Sequence, residues 1–415
     1  MNASVECYVP SSGMVSLDQA LEAILATVAV LPDLETVALG DSLGRVLAAD
    51  LVSPLDVPGF DNSAMDGYAV RAADTRAEAE VRLAVGQRIP AGTEPQALAQ
   101  GHAARIFTGA PVPPGADAVV MQEACVRAGD EVLIRGAVQV GENIRHQGQN
   151  VAKSSVVIAA GHRMRAQDMG LAASLGIAEI RVRRRPRVAI FSTGDELALP
   201  GTPLTKGRIY TANNHLLHGL LQALGCEVVD HGIVRDDLDA TCATLESCTA
   251  DADLVISSGG ASVGEEDHVK QALDRVGRID LWRIAIRPGK PLIYGHLGET
   301  LFMGLPGNPV SSFATFLLLV RPVILALQGA TELTPQRIQV RAGFEWPKAQ
   351  PRREFARARL ELTADGASIA RLHANQSSDV LSSTVWADGL VEIPEGETVA
   401  HDDWVRYLPF SGLLG

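Results

Sequence analysis

Cysteine is scarce in this chain. The five residues, Cys7, Cys125, Cys226, Cys242 and Cys248, include no Cys-x-x-Cys pair. An odd, scattered set of thiols excludes a disulfide framework, argues against a zinc cluster and suits a reducing compartment. Long apolar runs are missing too. The longest, "FATFLLLV" (313–320), falls far short of the ~20 residues a membrane span needs. The start, "MNASVECYVPSSGM", has neither a basic n-region nor an apolar h-region, so no secretory leader is expected. Basic residues are outnumbered: 36 Lys and Arg face 49 Asp and Glu, a formal charge of −13, which argues against a nucleic-acid partner. One basic run, "RVRRRPR" (181–187), opposes that trend and reads as an exposed edge strand or linker in preference to an anion patch. No repeat or low-complexity tract stands out. The expectation is a soluble, cytoplasmic protein with no membrane or nucleic-acid partner.

What is present is apolar residue in quantity. With 415 residues, 47% hydrophobic and 20% charged, the chain is globular and exceeds one core; about three domains are expected. Residues 16–30 place Leu17, Ala20, Leu21, Ile24, Leu25 and Val28 at helical spacing behind Ser16, a suitable N-cap. Short β-rich pieces separated by Gly and Pro occupy 51–151 as an insert domain. Helical period returns at "QDMGLAASLGI" (167–177), so 14–50 and 152–184 form one discontinuous, mixed helical domain. Over 185–330 strands such as "RVAIFST" and "DADLVISS" alternate with helices such as "NNHLLHGLLQALG", which implies βαβ units on a mostly parallel sheet. Residues 331–415 read as short strands with turns, a terminal β domain. The fold class is multidomain α/β.

Three strand ends in the α/β segment break into Gly-rich loops: "STGDEL" (192–197), "SSGGASVGEEDH" (257–268) and "LPGNPVSS" (305–312). Loops at the carboxyl ends of parallel strands line the ligand crevice of an open sheet. Glycine lets backbone N–H groups approach an anion, and a following helix N-terminus adds its positive end. Phosphate is therefore the expected ligand. No loop has Walker A or GxGxxG spacing, and each alone is an ordinary tight turn. Three in one domain favour the ligand. The positions that would hold it are Thr193 and Gly194, then Ser258, Gly259, Gly260 and Gly264, then Pro306, Gly307, Asn308 and Pro309.

Acids sit beside these glycines: Asp195 and Glu196, Asp236 and Asp237, and Glu265, Glu266 and Asp267. Carboxylates near phosphate loops suit Mg2+, which takes one or two carboxylates, water and substrate oxygens. Glu265 and Glu266 read better as a helix first turn; Glu196 and Asp267 are the expected metal ligands. "RPGKP" (287–291) puts two cations on a rigid turn suited to an oxyanion.

A different stretch, "GFDNSAMDGYAV" (59–70), is rich in Gly, Asn, Asp and Ser and reads as a loop ahead of a short strand. Taken with "TGAPVPPGADAVV", "FSTGDEL", "SSGGASVGEEDH", "RPGKP" and "LPGNPVSS", it resembles the molybdopterin molybdenumtransferase family (MoeA; gephyrin E domain in animals). The resemblance runs from about residue 14 to the C-terminus, with six long motifs in order. It implies a homodimer of four-domain chains whose α/β domain has the molybdopterin adenylyltransferase fold. The implied reaction is Mg2+-dependent insertion of molybdenum from molybdate into adenylylated molybdopterin, releasing AMP. It also implies transient contact with the adenylyltransferase and with molybdoenzyme chaperones.

Residue by residue, Asp61 matches the family's functional aspartate, in a loop that faces a cleft lined by the partner subunit's α/β domain. Thr108 matches its threonine, and Glu196, Asp236 and Asp267 fall on family acids. Arg283 and Arg287 occupy positions that are commonly lysine, Lys290 matches the lysine of the PGKP turn, and Ser377 or Ser378 a serine near the pterin. Asp66 reads as a turn acid capping local N–H groups. The chain departs from the family at "HQGQNVA", where Gln149 and Asn150 replace two acids. The competing readings are an adenylyltransferase, whose fold stands alone at about half this length, and a non-catalytic scaffold, which has no long linker or second α/β domain here.

Overall fold

The computed structural model describes residues 14–260, 268–364 and 366–414. Its centre is a six-stranded sheet in the order 227–234, 187–193, 254–258, 300–305, 293–297, 278–282. The first four strands run parallel, and the last two join through antiparallel pairings. Alternation along each strand gives the sheet two apolar faces. Val188 and Ile190 face one layer with Leu217, Leu221 and Phe316. Ala189 and Phe191 face the other with Leu245, Val269 and Leu273. Helices Asn213–Ala223 and Pro309–Leu327 form the first layer, and Leu238–Cys248 and His268–Val276 the second.

The helix Leu238–Cys248 has no counterpart in the sequence reading. Its buried stripe is carried by Thr241, Cys242, Leu245 and Cys248, a weak apolar signal, and Asp237 caps it by accepting from Ala240 N at 2.8 Å. The helix Pro309–Leu327 is 19 residues long with a mean hydropathy of 2.0, enough by length and composition to cross a membrane, yet 94% of that window is buried inside the fold. It is a core helix.

Ser16 caps helix Leu17–Leu25, and Gln19 completes a capping box. Sequence groups this helix with 152–184. Instead its apolar face, Leu17, Ala20 and Ile24, enters the α/β core beside Ile324 and Leu327. The remaining segments of that group do pair across the insert. Leu34–Ala38 runs antiparallel to Glu179–Arg183, over a small core of Leu47, Ile158, Met164, Ile180 and Val182. The basic run that follows is not an exposed linker. Arg184 is clasped by Asp253 at 2.7 Å and Asp33 at 2.8 Å, stapling the α/β domain to the segment before Leu34.

The insert is a second six-stranded sheet. The terminal domain is a third, in which Arg353–Leu362 pairs with both 368–372 and 389–393 to close the strands on themselves. The short strand Ile286–Arg287 adds to it in parallel, fixing the RPGKP turn against the terminal domain.

Candidate functional site

The three glycine-rich strand ends converge. Thr193, Gly194, Ser258, Gly259, Gly260, Pro306, Gly307, Asn308 and Pro309 line one cavity of about 690 Å³, together with Glu196 and Asp236. Its size is that of an ordinary small-molecule site. Gly264 and Asp267 lie outside the described residues.

Glycine is required where the first two loops touch. At Gly259, with φ +92°, a Cβ would lie 2.8 Å from Thr193 O; at Gly260, with φ +64°, it would lie 2.4 Å from Val269 Cγ2 and 2.9 Å from Thr193 Oγ1. The second and third loops are tied by Asn213, at the start of helix Asn213–Ala223. Its Nδ2 donates to Ser258 Oγ at 2.6 Å and to Gly307 O at 2.7 Å. Neighbouring Asn214 accepts from Ser192 Oγ at 2.5 Å and donates to Asp230 at 2.8 Å. These contacts hold the loops before any ligand arrives. Thr193 Oγ1 and Asn213 Oδ1 are nonetheless buried with no hydrogen-bond partner among the described residues. Buried polar atoms without partners are costly, and both belong to residues lining this cavity.

The acids form one edge. Asp195 N donates to Asp236 Oδ2 at 3.0 Å, so the loop after strand 227–234 is latched to the first glycine loop. The Glu196 carboxylate folds back over Gly194, where an added Cβ would lie 2.6 Å from Oε2. Among the described residues no cluster of three or more His, Cys, Asp or Glu could hold a metal alone. Two carboxylates beside phosphate loops fit Mg2+, which completes its shell with water and substrate oxygens.

The terminal domain supplies the opposite edge. Asn308 Nδ2 donates to Ser378 Oγ at 3.1 Å, and Val310 N donates to Ser378 O at 3.1 Å. Ser377 Oγ donates to Asp379, which lines the cavity and whose carboxyl this bond holds below its ordinary range. Behind this loop Arg357 is fully buried, donating to Ser383 Oγ at 3.0 Å and Ser377 O at 3.0 Å. Burial pushes its guanidinium down to about 10. Sequence reasoning missed Asn213, Asp379 and Arg357. Only the polar pair "NN" opening a helix could have marked the first.

The RPGKP turn reaches the cavity through Pro291, while Arg283, Arg287 and Lys290 stand outside its lining. Arg287 pairs with the buried Glu354 at 3.4 Å. Burial raises the Glu354 carboxyl above its ordinary value, and Arg287 draws it back down. Lys290 is exposed.

Asp61 and Thr108 lie on the insert, outside this cavity. Asp61 accepts from Gln147 N at 2.7 Å, and His146 Nδ1 lies 3.2 Å from its other oxygen. The Gln147 N–H is the main reason its carboxyl sits below the ordinary range. Thr108 donates through both N and Oγ1 to Asp66, at 2.8 and 2.7 Å, so Asp66 is the turn acid here. Gln149 Oε1 closes the adjacent turn by accepting from His146 N at 3.0 Å, and the Asn150 side chain is exposed.

A mostly parallel sheet covered on both faces, with a cavity where glycine loops meet at its strand ends and two β domains attached, defines a multidomain α/β protein. Comparison with known proteins narrows this class. The MoeA N-terminal region (domain I and II) matches residues 15–176, a probable molybdopterin binding domain matches 189–326, and the MoeA C-terminal region (domain IV) matches 339–410. A molybdopterin molybdenumtransferase of Haemophilus influenzae is 37% identical over 97% of this chain and 100% of its own length. Molybdopterin molybdenumtransferase 2 of Mycobacterium tuberculosis is 40% identical over 87% of this chain and 91% of its own. A crystal structure of the molybdopterin biosynthesis MoeA protein from Pyrococcus horikoshii OT3 superimposes with a TM-score of 0.83 at 30% identity, over 95% of this chain and 100% of that one. The chain belongs to the MoeA family.

Proposed function

We propose that this chain is a molybdopterin molybdenumtransferase. It inserts molybdenum from molybdate into adenylylated molybdopterin, with Mg2+ and with release of AMP, as the last step of molybdenum cofactor biosynthesis in the cytoplasm. The observation that carries the reading is the cavity where three glycine loops meet, edged by Glu196 and Asp236, with Thr193 Oγ1 and Asn213 Oδ1 unpartnered among the described residues.

Adenylylated molybdopterin brings the phosphates and polar heterocycle that such a cavity accommodates. Thr193, Gly194, Gly259, Gly260 and Gly307 cradle phosphate oxygens, the helix starting at Pro309 adds its N-terminal dipole, and Asn213 Oδ1 accepts from the substrate. Glu196, Asp236 and Asp267 would hold Mg2+, which neutralises phosphoanhydride charge. Lys290, with Arg283 and Arg287 beside it, attracts the molybdate dianion, and Ser377 and Ser378 contact the pterin side. The pterin dithiolene is the molybdenum ligand, so no protein thiol is needed.

The working unit is a homodimer. Asp61 and Thr108 stand outside the cavity of their own chain, which suits a cleft that combines them with the partner's glycine loops. Transient contact with the adenylyltransferase that supplies the substrate, and with molybdoenzyme chaperones, belongs to the same reading. Incubation with adenylylated molybdopterin, Mg2+ and molybdate should release AMP and yield active cofactor. A requirement for ATP would make the chain an adenylyltransferase, and no turnover at all would make it a scaffold.

A further inference from the structure

A second cavity, of about 600 Å³, lies where the segment 161–166 meets the end of helix Asn213–Ala223 and the end of helix Arg321–Leu327. None of its lining residues belongs to the glycine-loop site. Its walls are partly apolar, from Leu43, Met164 and Leu325, and four arginines, Arg163, Arg165, Arg185 and Arg321, line it as well.

Among the described residues, three of these cations hydrogen-bond to backbone carbonyls and to no acid. Arg163 donates to Ala223 O at 2.9 Å and Gly44 O at 3.2 Å, and Arg185 to Gly225 O at 3.1 Å. Arg321 donates to Leu413 O, Leu333 O and Gly412 O at 3.0–3.2 Å. Among the described residues none of the three has a carboxylate within ion-pair distance. The acids nearby are Asp168, taken up by Arg165 and His162, and Glu332 on the rim. A guanidinium carries five N–H donors, so most of these remain without a protein acceptor. Burial first, and then the charge of Arg163, push the Arg321 guanidinium below its ordinary value.

The plain explanation is that Arg163 and Arg185 serve carbonyls at the end of helix Asn213–Ala223, and that Arg321 serves those of Leu333, Gly412 and Leu413. A helix C-terminus offers only about half a negative charge, which leaves most of three positive charges uncompensated. Gathering like charges against apolar walls is unfavourable unless something neutralises them. From the bare guanidinium groups and the apolar walls of this cavity, we propose that it is a binding site for a small organic phosphate, separate from the glycine-loop site. The phosphate takes bidentate hydrogen bonds from Arg163 and Arg185, with Arg321 behind them, and the organic body packs on Met164 and Leu325.

Met164 is a local reporter, because it lines this cavity and not the glycine-loop site, with its side chain buried in the small core of Leu47, Ile158, Ile180 and Val182. The full-length protein carrying 13C-methyl methionine, with the resonance assigned by Met164→Leu, is titrated with phenyl phosphate and, separately, with inorganic phosphate. Phenyl phosphate should shift the Met164 methyl saturably and bind at least about tenfold more tightly than inorganic phosphate. Arg185→Gln should weaken that binding about tenfold or more. Ala166→Glu, which sets a competing carboxylate at an exposed lining position in a helix first turn where acids are tolerated, should do the same without lowering the melting temperature. No Met164 shift up to about 10 mM ligand, a shift unchanged in both folded variants, or equal affinity for the two phosphates would overturn the proposal.

Discussion

Asn213 makes the most demanding test of the glycine-loop site, because one side chain holds two loops and leaves an acceptor over. Its Nδ2 is shared by Ser258 Oγ at 2.6 Å and Gly307 O at 2.7 Å, and Oδ1 has no partner among the described residues. Replacing Asn213 by Ala leaves the buried Ser258 hydroxyl without this partner and returns the exposed Gly307 carbonyl to water. At about 1–3 kcal/mol for one buried unsatisfied group, the α/β domain should lose roughly 1–3 kcal/mol. Replacing it by Asp keeps the shape, removes both donors and adds a negative charge to the cavity wall. With a substrate phosphate about 5–6 Å away and an effective dielectric of about 20, the repulsion is roughly 3 kcal/mol, on the order of a hundredfold in affinity. Calorimetric melting reports the first effect, and the concentration dependence of AMP release the second. Alanine should mainly lower the transition temperature. Aspartate should mainly raise KM, and activity should recover as falling pH protonates the new carboxyl. If Asn213→Asp binds substrate within about twofold of wild type at neutral pH, the phosphate does not lie against Asn213 and the cavity is not the substrate site.

Three further outcomes are expected. Mixed dimers of Asp61→Ala and Glu196→Ala chains should recover part of the lost AMP release, because one hybrid cleft keeps both groups; no recovery in verified heterodimers would refute the shared cleft. Asn150→Asp should lower the Mg2+ requirement about ten- to a hundredfold without changing the melting temperature, since an exposed carboxylate there restores a charge that an amide lacks; identical Mg2+ titrations for wild type, Asn150→Asp and the double variant with Gln149→Glu would show that amide and acid are interchangeable. Hydrogen bonds from Arg165, and then from His162, hold the Asp168 carboxyl far below its unfolded value, so its contribution is complete above pH ~4 and is lost as pH falls through the folded value. Asp168→Asn should therefore cost roughly 1–3 kcal/mol at pH 7, with the gap to wild type closing in acid urea titrations; a gap that widens on acidification would refute the assignment.

The sheet was legible wherever one residue type dominates. "RVAIFST" and "DADLVISS" carry the unbroken apolar runs VAIF and LVI because both faces are covered, and glycine follows each of them at a turn. Helix Leu238–Cys248 escaped because threonine and cysteine carry three of the four positions of its buried stripe, with leucine only at Leu245. For helix Leu17–Leu25 the amphipathic pattern was visible and its destination was not: periodicity identifies an apolar face, while the core it enters is decided by the rest of the chain. Arg184 shows the same limit. A run of arginines looks solvated until Asp33 and Asp253, more than two hundred residues apart, are brought to one guanidinium.

The site divides along the same line. Gly194, Gly259 and Gly260 stand out in the sequence because backbone geometry at a strand end restricts the residue, and that restriction is local. Asn213, Asp379 and Arg357 do not, because each acts on a loop from another element: a helix start, a terminal-domain turn, a buried strand. Glycine lets the loops approach one another, and these polar residues hold the loops in place. Substitutions at the glycines should therefore act through strain, whereas substitutions at Asn213 and Arg357 should act through loop position. Only the second kind can be rescued by a residue that restores the same hydrogen bonds.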